Sequence, residues 1–164
     1  MKKIVLFVTM LLVLLVVNFL IIKKEETLSK GRTMLLRLVP VDPRSLIQGD
    51  YMMLRYALAN EVPISQLGDK GRLVVSLDEN GVAKFVRVYK GENLAGGEHL
   101  LFYRNRNSLQ LGAESFMFQE GTAKLYSSAR YGELKVDQSG RSVLVGIRGE
   151  DFKPLGQRQQ LNRE

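Results

Sequence analysis

The chain has 164 residues, a formal charge of +7, no cysteine and a single histidine, His99. The missing thiols exclude disulfides, thiolate metal sites, a cysteine nucleophile and a lipoprotein anchor together, and one imidazole cannot build a histidine-rich metal site and leaves little room for a Ser/His/Asp triad. Behind an apolar leader there is length for one domain of about 120 residues, so the sequence divides into an anchor (1–24), a soluble domain (30–152) and a polar tail (153–164).

The leader comes first. From Ile4 to Ile22, IVLFVTMLLVLLVVNFLII, nineteen residues carry no charge, and as a helix they span roughly 28 Å, close to the hydrocarbon thickness of a bilayer. Asn18 is the one strongly polar member, near an end where its amide can reach the interface or a neighbouring helix. A cleaved signal peptide has a shorter apolar core and small residues at its cut. Here Lys23-Lys24-Glu25-Glu26 follows directly, and Thr27-Leu28-Ser29 is a poor substitute for a cleavage site. The segment therefore reads as an uncleaved transmembrane anchor, with membrane lipid as the first partner. Lys2 and Lys3 lie on one flank and Lys23, Lys24, Lys30 and Arg32 on the other. A very short segment ahead of a signal-like helix stays in the cytoplasm, which predicts an inner-membrane protein with its domain on the extracytoplasmic, periplasmic side.

The rest is β-rich. TMLLRLVP, Thr33 to Pro40, is a short strand closed by proline, and DPRS supplies Asp and Pro for a type I turn. From Asp50 to Leu58 a second strand alternates Met52, Leu54, Tyr56 and Leu58, the better core set, with Tyr51, Met53, Arg55 and Ala57 on the opposite face. RLVVSLDENGVAKFVRVY predicts a hairpin turned at Asn80-Gly81. HLLFYRNR resumes strand after the glycine-rich KGENLAGGE, and ELKVDQSGRSVLVGIR predicts a second hairpin at Gln138-Ser139-Gly140. One stretch, Glu120 to Arg130, suits a helix, with Ala123, Tyr126 and Ala129 recurring every third residue and Gly121 weakening the first turn. The fold class is α+β: an N-terminal transmembrane helix, then a mainly antiparallel β domain with one short helix, for which a partly closed barrel is one arrangement.

The most distinctive stretch is VDPRSLIQGDYMMLRYAL, Val41 to Leu58. Gly49 lets the backbone turn, and the Asp50 carboxylate can accept nearby amide protons and fix the entry of the strand. Tyr51 and Tyr56 fall on opposite faces and cannot form one aromatic platform. Read structurally, this is a strand-entry corner with Asp42 and Asp50 as local acceptors. Read functionally, Asp42, Arg44, Asp50 and Arg55 gather four charges at one end of a strand.

Gly49-Asp50-Tyr51, Leu54 and Tyr56 spell G-D-Y-x-x-L-x-Y behind PVDPRSLIQ, and the chain thereby resembles the bacterial GDYXXLXY family. The resemblance continues through ESFMFQEGTAKLYSSARYGELKVDQSGRSVLVGIR, Glu114 to Arg148. It implies a small protein with an N-terminal membrane segment and a multi-pass membrane protein as companion. It brings no reaction, ligand or cofactor with it.

Two other readings compete with a non-catalytic accessory role. RSLIQGDY is loosely similar to the segment after the serine nucleophile of type I signal peptidases, and KFVRVY to their lysine-bearing strand, but the nucleophile position falls on Val41 and the proline position on Arg44. Hydrolysis would need Ser45 as nucleophile and a desolvated, neutral Lys84 as base. A small-ligand sensor would line a cleft with Asp50, Tyr51 and Arg55. GENLAGG lacks the Lys-Ser/Thr of a phosphate loop. Lysines and arginines are spread along the chain among acids, so neither nucleic acid nor metal is an expected partner. For a tethered domain the nearest polyanion is the lipid surface.

Overall fold

The computed structural model describes residues 2–39, 51–106, 108–112 and 114–156. Its elements run α1 (Lys2–Lys30), β1 (Arg32–Arg37), β2 (Tyr51–Met53), a single helical turn α2 (Leu58–Glu61), β3 (Lys70–Leu77), β4 (Ala83–Val88), β5 (Glu98–Asn105), β6 (Leu109–Gln110), β7 (Ser115–Met117), β8 (Tyr131–Val136) and β9 (Ser142–Arg148). Further 3-10 turns lie at Ile64–Gln66 and Ala123–Tyr126.

The uncharged leader forms most of α1, a helix long and apolar enough to cross a membrane, with its apolar side chains exposed. At 29 residues the helix is about 44 Å long, so it outruns the apolar stretch and continues past Lys24 to Lys30. Those extra turns are docked: Thr27 is buried, its hydroxyl donating to Lys23 O at 3.0 Å, and the helix end packs on β8 and β9. The Gly31 amide donates to Thr27 O at 2.9 Å. A Cβ on Gly31 would collide with Thr27 O and sit 3.2 Å from the backbone N and O of Val136. Glycine thus lets the helix end against the sheet, and β1 begins at the next residue.

All strand pairing within the named sheets is antiparallel, in the orders β1-β8-β9, β2-β7 and β4-β3-β5-β6. Among the described residues the sheets do not close into a barrel; isolated bridges join them, Leu35 to Val82 in parallel and Leu38 to Tyr56 antiparallel. Both predicted hairpins form, and both use the same device. Asp78 Oδ1 accepts from the Asn80 and Val82 amides at 3.0 and 2.9 Å, and Asp137 Oδ1 from the Ser139 and Arg141 amides at 2.8 and 3.0 Å. Gly81 and Gly140 supply the left-handed residues, with φ of +77° and +88°. The second turn is itself seated on the four-stranded sheet, since Gly140 O accepts from the Phe102 amide at 2.8 Å and Ser139 O from Arg72 Nε at 2.8 Å.

The core lies where the three sheets meet, with Leu36, Leu73, Leu101, Leu111 and Leu134 wholly buried. The helix expected between Glu120 and Arg130 is reduced to the 3-10 turn Ala123–Tyr126. A recurrence of three matches the three residues per turn of a 3-10 helix, not the 3.6 of an α-helix, and Gly121 at φ +77° holds the chain out of helix just before it. The strand expected to reach Leu58 ends sooner, and Leu58 opens α2 instead. The first residues of the polar tail are fastened: Pro154 bridges Arg148, and the Leu155 amide donates to Ile147 O at 2.8 Å.

Candidate functional site

The motif stretch is held on both sides. β2 pairs with β7 in the register Tyr51 to Met117, Met52 to Phe116 and Met53 to Ser115, and the Leu54 amide donates to Glu114 O at 2.8 Å. Farther on, the chain turns alongside the end of β1. The Val39 amide donates to Arg55 O and the Ala57 amide to Arg37 O, both at 2.8 Å, on either side of the Leu38–Tyr56 bridge. On its other side Leu38 donates to Arg130 O at 2.8 Å. The stretch is therefore a splice between the sheet that receives α1 and the β2-β7 ribbon.

Its two faces do different things. Met52, Leu54, Tyr56 and Leu58 are all buried, although only three residues of the stretch lie in β2. Met52 sits opposite Phe116, whose ring packs edge-on to Tyr126 at 5.1 Å and near Phe118 at 6.5 Å. Tyr56, only 5% exposed, lies against the backbone of Gly132 on β8: a Cβ there would be 3.1 Å from Tyr56 Cε1. Burial, and to a lesser degree the Glu114 carboxylate, push the Tyr56 phenol well above its ordinary value, so it stays protonated. Glu114 in turn accepts the Gly112 amide at 2.9 Å.

The opposite face is open. Tyr51 is 42%, Met53 52% and Met117 81% exposed, and Arg55 is exposed as well. Side chains two and four residues apart on extended backbone share a face, so an aromatic, a methionine and a guanidinium lie along one line, with Met117 beside Tyr51. Such a surface can make apolar, stacking and ion-pair contacts, the chemistry by which interfaces are recognised.

Of the residues singled out by sequence, Tyr51, Leu54, Arg55 and Tyr56 are placed, Leu54 and Tyr56 inward and Tyr51 and Arg55 outward. Asp42, Arg44, Gly49 and Asp50 lie outside the described residues, as do Val41 and Ser45. Lys84 has an exposed side chain 3.8 Å from Asp78 Oδ2, in the turn of the first hairpin. Spacing alone gave no hint of Gly132, Glu114 or Phe116. Their only signal was membership of the second block, Glu114 to Arg148, which supplies the floor and wall of the motif. Among the described residues no three His, Asp or Glu side chains gather as a cation site.

A family model described as GDYXXLXY protein matches residues 13–147, from within α1 almost to the end of β9. No curated protein matches the chain. No solved structure matches it either.

Proposed function

The chain belongs to the GDYXXLXY family, and from that premise we propose that it is a single-pass, membrane-anchored accessory protein of the bacterial envelope. The domain is non-catalytic and extracytoplasmic, and it binds or modulates a multi-pass membrane protein. The observation that carries this reading is the division of the motif stretch. Its Leu54 and Tyr56 side chains are spent inside the fold, while Tyr51, Met53 and Arg55 stand exposed together with Met117. Aromatic, methionine and arginine side chains are the types enriched at protein interfaces. A domain joined to its apolar helix with no intervening linker is kept near the bilayer, where integral membrane partners are found.

Photo-crosslinking in native membranes tests it. A photoreactive residue at Met53 or Met117 should give a discrete adduct with an integral membrane protein, absent when the probe replaces Glu79 in the first hairpin turn and weakened by Tyr51→Ala. The same adducts from all three positions, or none from Met53 and Met117, would sink the proposal.

A further inference from the structure

Between the last turns of α1 and the second hairpin turn lies a cleft of about 780 Å³, whose wall begins at Leu20. Leu20 belongs to the apolar stretch and Lys23 follows it within a turn, so the cleft opens at the level where hydrocarbon gives way to headgroups. Five cationic side chains line it: Lys23, Lys24 and Lys30 from the helix, Arg72 from β3 and Arg141 from the hairpin turn.

The two carboxylates in the lining are already engaged. Glu26 accepts Lys30 at 3.2 Å. Asp137 Oδ1 holds the turn amides and also accepts the Ser139 hydroxyl at 2.7 Å. Arg72 reaches Ser139 O through Nε alone, which leaves its terminal nitrogens for another acceptor. Lys23 lies 4.7 Å over the Phe19 ring, at the boundary of the span. Cations from three separate parts of the chain thus face one concavity, and neither of its acids is ion-paired with Lys24, Arg72 or Arg141.

We propose that this cleft binds the phosphate headgroup of an anionic phospholipid, with Arg72 and Arg141 on the domain side and Lys23 and Lys24 on the helix side. A guanidinium fork suits phosphate oxygens, and lysines at the headgroup boundary add attraction without fixed geometry. The lipid then fills the gap between anchor and domain, its acyl chains beside Leu20. This rests on α1 crossing the bilayer, as in the proposed function, but not on any protein partner.

Native mass spectrometry of the full chain released from detergent, with phosphatidylglycerol and phosphatidylcholine offered in equal amounts, reads the preference directly. The unaltered chain should retain phosphatidylglycerol over phosphatidylcholine by about thirtyfold, on the scale of two juxtamembrane cations. Arg72→Gln with Arg141→Gln should bring the two lipids to parity, and Arg104→Gln on β5 should not. Because Arg72 also holds the hairpin turn, Lys24→Gln with Arg141→Gln gives a second reading that leaves that bond intact; it too should reach parity. Equal retention by the unaltered chain, or a preference surviving both double variants, would overturn the assignment. Displacement of the lipid by millimolar inorganic phosphate would overturn it in favour of a free-phosphate site. A chain recovered from cells in the aqueous fraction would remove the tether and the cleft together, whereas a membrane-bound chain without preference removes the cleft alone.

Discussion

Tyr51 and Tyr56 carry the same side chain in one motif and do opposite work. Tyr56 is packed against Gly132 and bridged to β1, so Tyr56→Ala should cost about 3–5 kcal/mol, the range for emptying a buried aromatic site. Tyr51→Ala, on the open face, should move stability by no more than about 0.5 kcal/mol. Thermal or denaturant unfolding of the two variants separates them, and equal losses would contradict the two-faced description. Gly132→Ala should cost about 1–3 kcal/mol, because the new methyl must displace a ring with little space to retreat. The inward and outward sets were legible from alternation alone, even though the strand proved shorter than expected, because extended backbone alternates its side chains whether or not a ladder forms. Gly132 was not legible. It meets Tyr56 across more than seventy intervening residues, and no local pattern encodes such a contact.

At the scale of elements, the hairpins followed from Asn80-Gly81 and Ser139-Gly140, where turn chemistry is local. That the described strands form no barrel could not be read, since closure depends on which distant strands meet, and here the sheets are joined by isolated bridges and single hydrogen bonds instead of a continuous ladder. The short helix expected within residues 120 to 130 forms as a 3-10 turn, and the spacing of three that pointed to it is the period of that helix type. The junction between α1 and β1 gives the sharpest test at this scale. Gly31→Ala brings a methyl against Thr27 O and Val136, and should unseat the end of the helix from the sheet. Limited trypsin digestion of the membrane-bound chain should then cut after Lys30 or Arg32 several times faster than before. An unchanged cleavage rate would mean that glycine is not what permits the close approach.

The sequence holds a single histidine, the side-chain type that ordinarily titrates nearest neutrality. His99, on β5, is held below its ordinary value by partial burial and, secondarily, by Arg32. The folded state therefore resists a proton that the unfolded chain accepts first, near pH 6.5. Stability should be level above that point, fall as pH drops through it toward the lower folded value, and level off again until carboxylates begin to titrate. Proton NMR of the single imidazole should give a midpoint below 6.5, and His99→Gln should remove the fall in the unfolding midpoint as pH drops below 6.5. A midpoint above the ordinary value would reverse the sign and refute the account.

With one glycine between the end of α1 and the start of β1, the chain has no swivel at that point. One alanine inserted between Lys24 and Glu25 would rotate everything beyond it by about 100° around the helix axis and lift it by about 1.5 Å. If the Tyr51 face must point at a neighbour fixed in the same bilayer, that insertion should abolish the contact while leaving the fold intact. Insertions totalling seven residues, nearly two full turns, should restore its azimuth at a greater height.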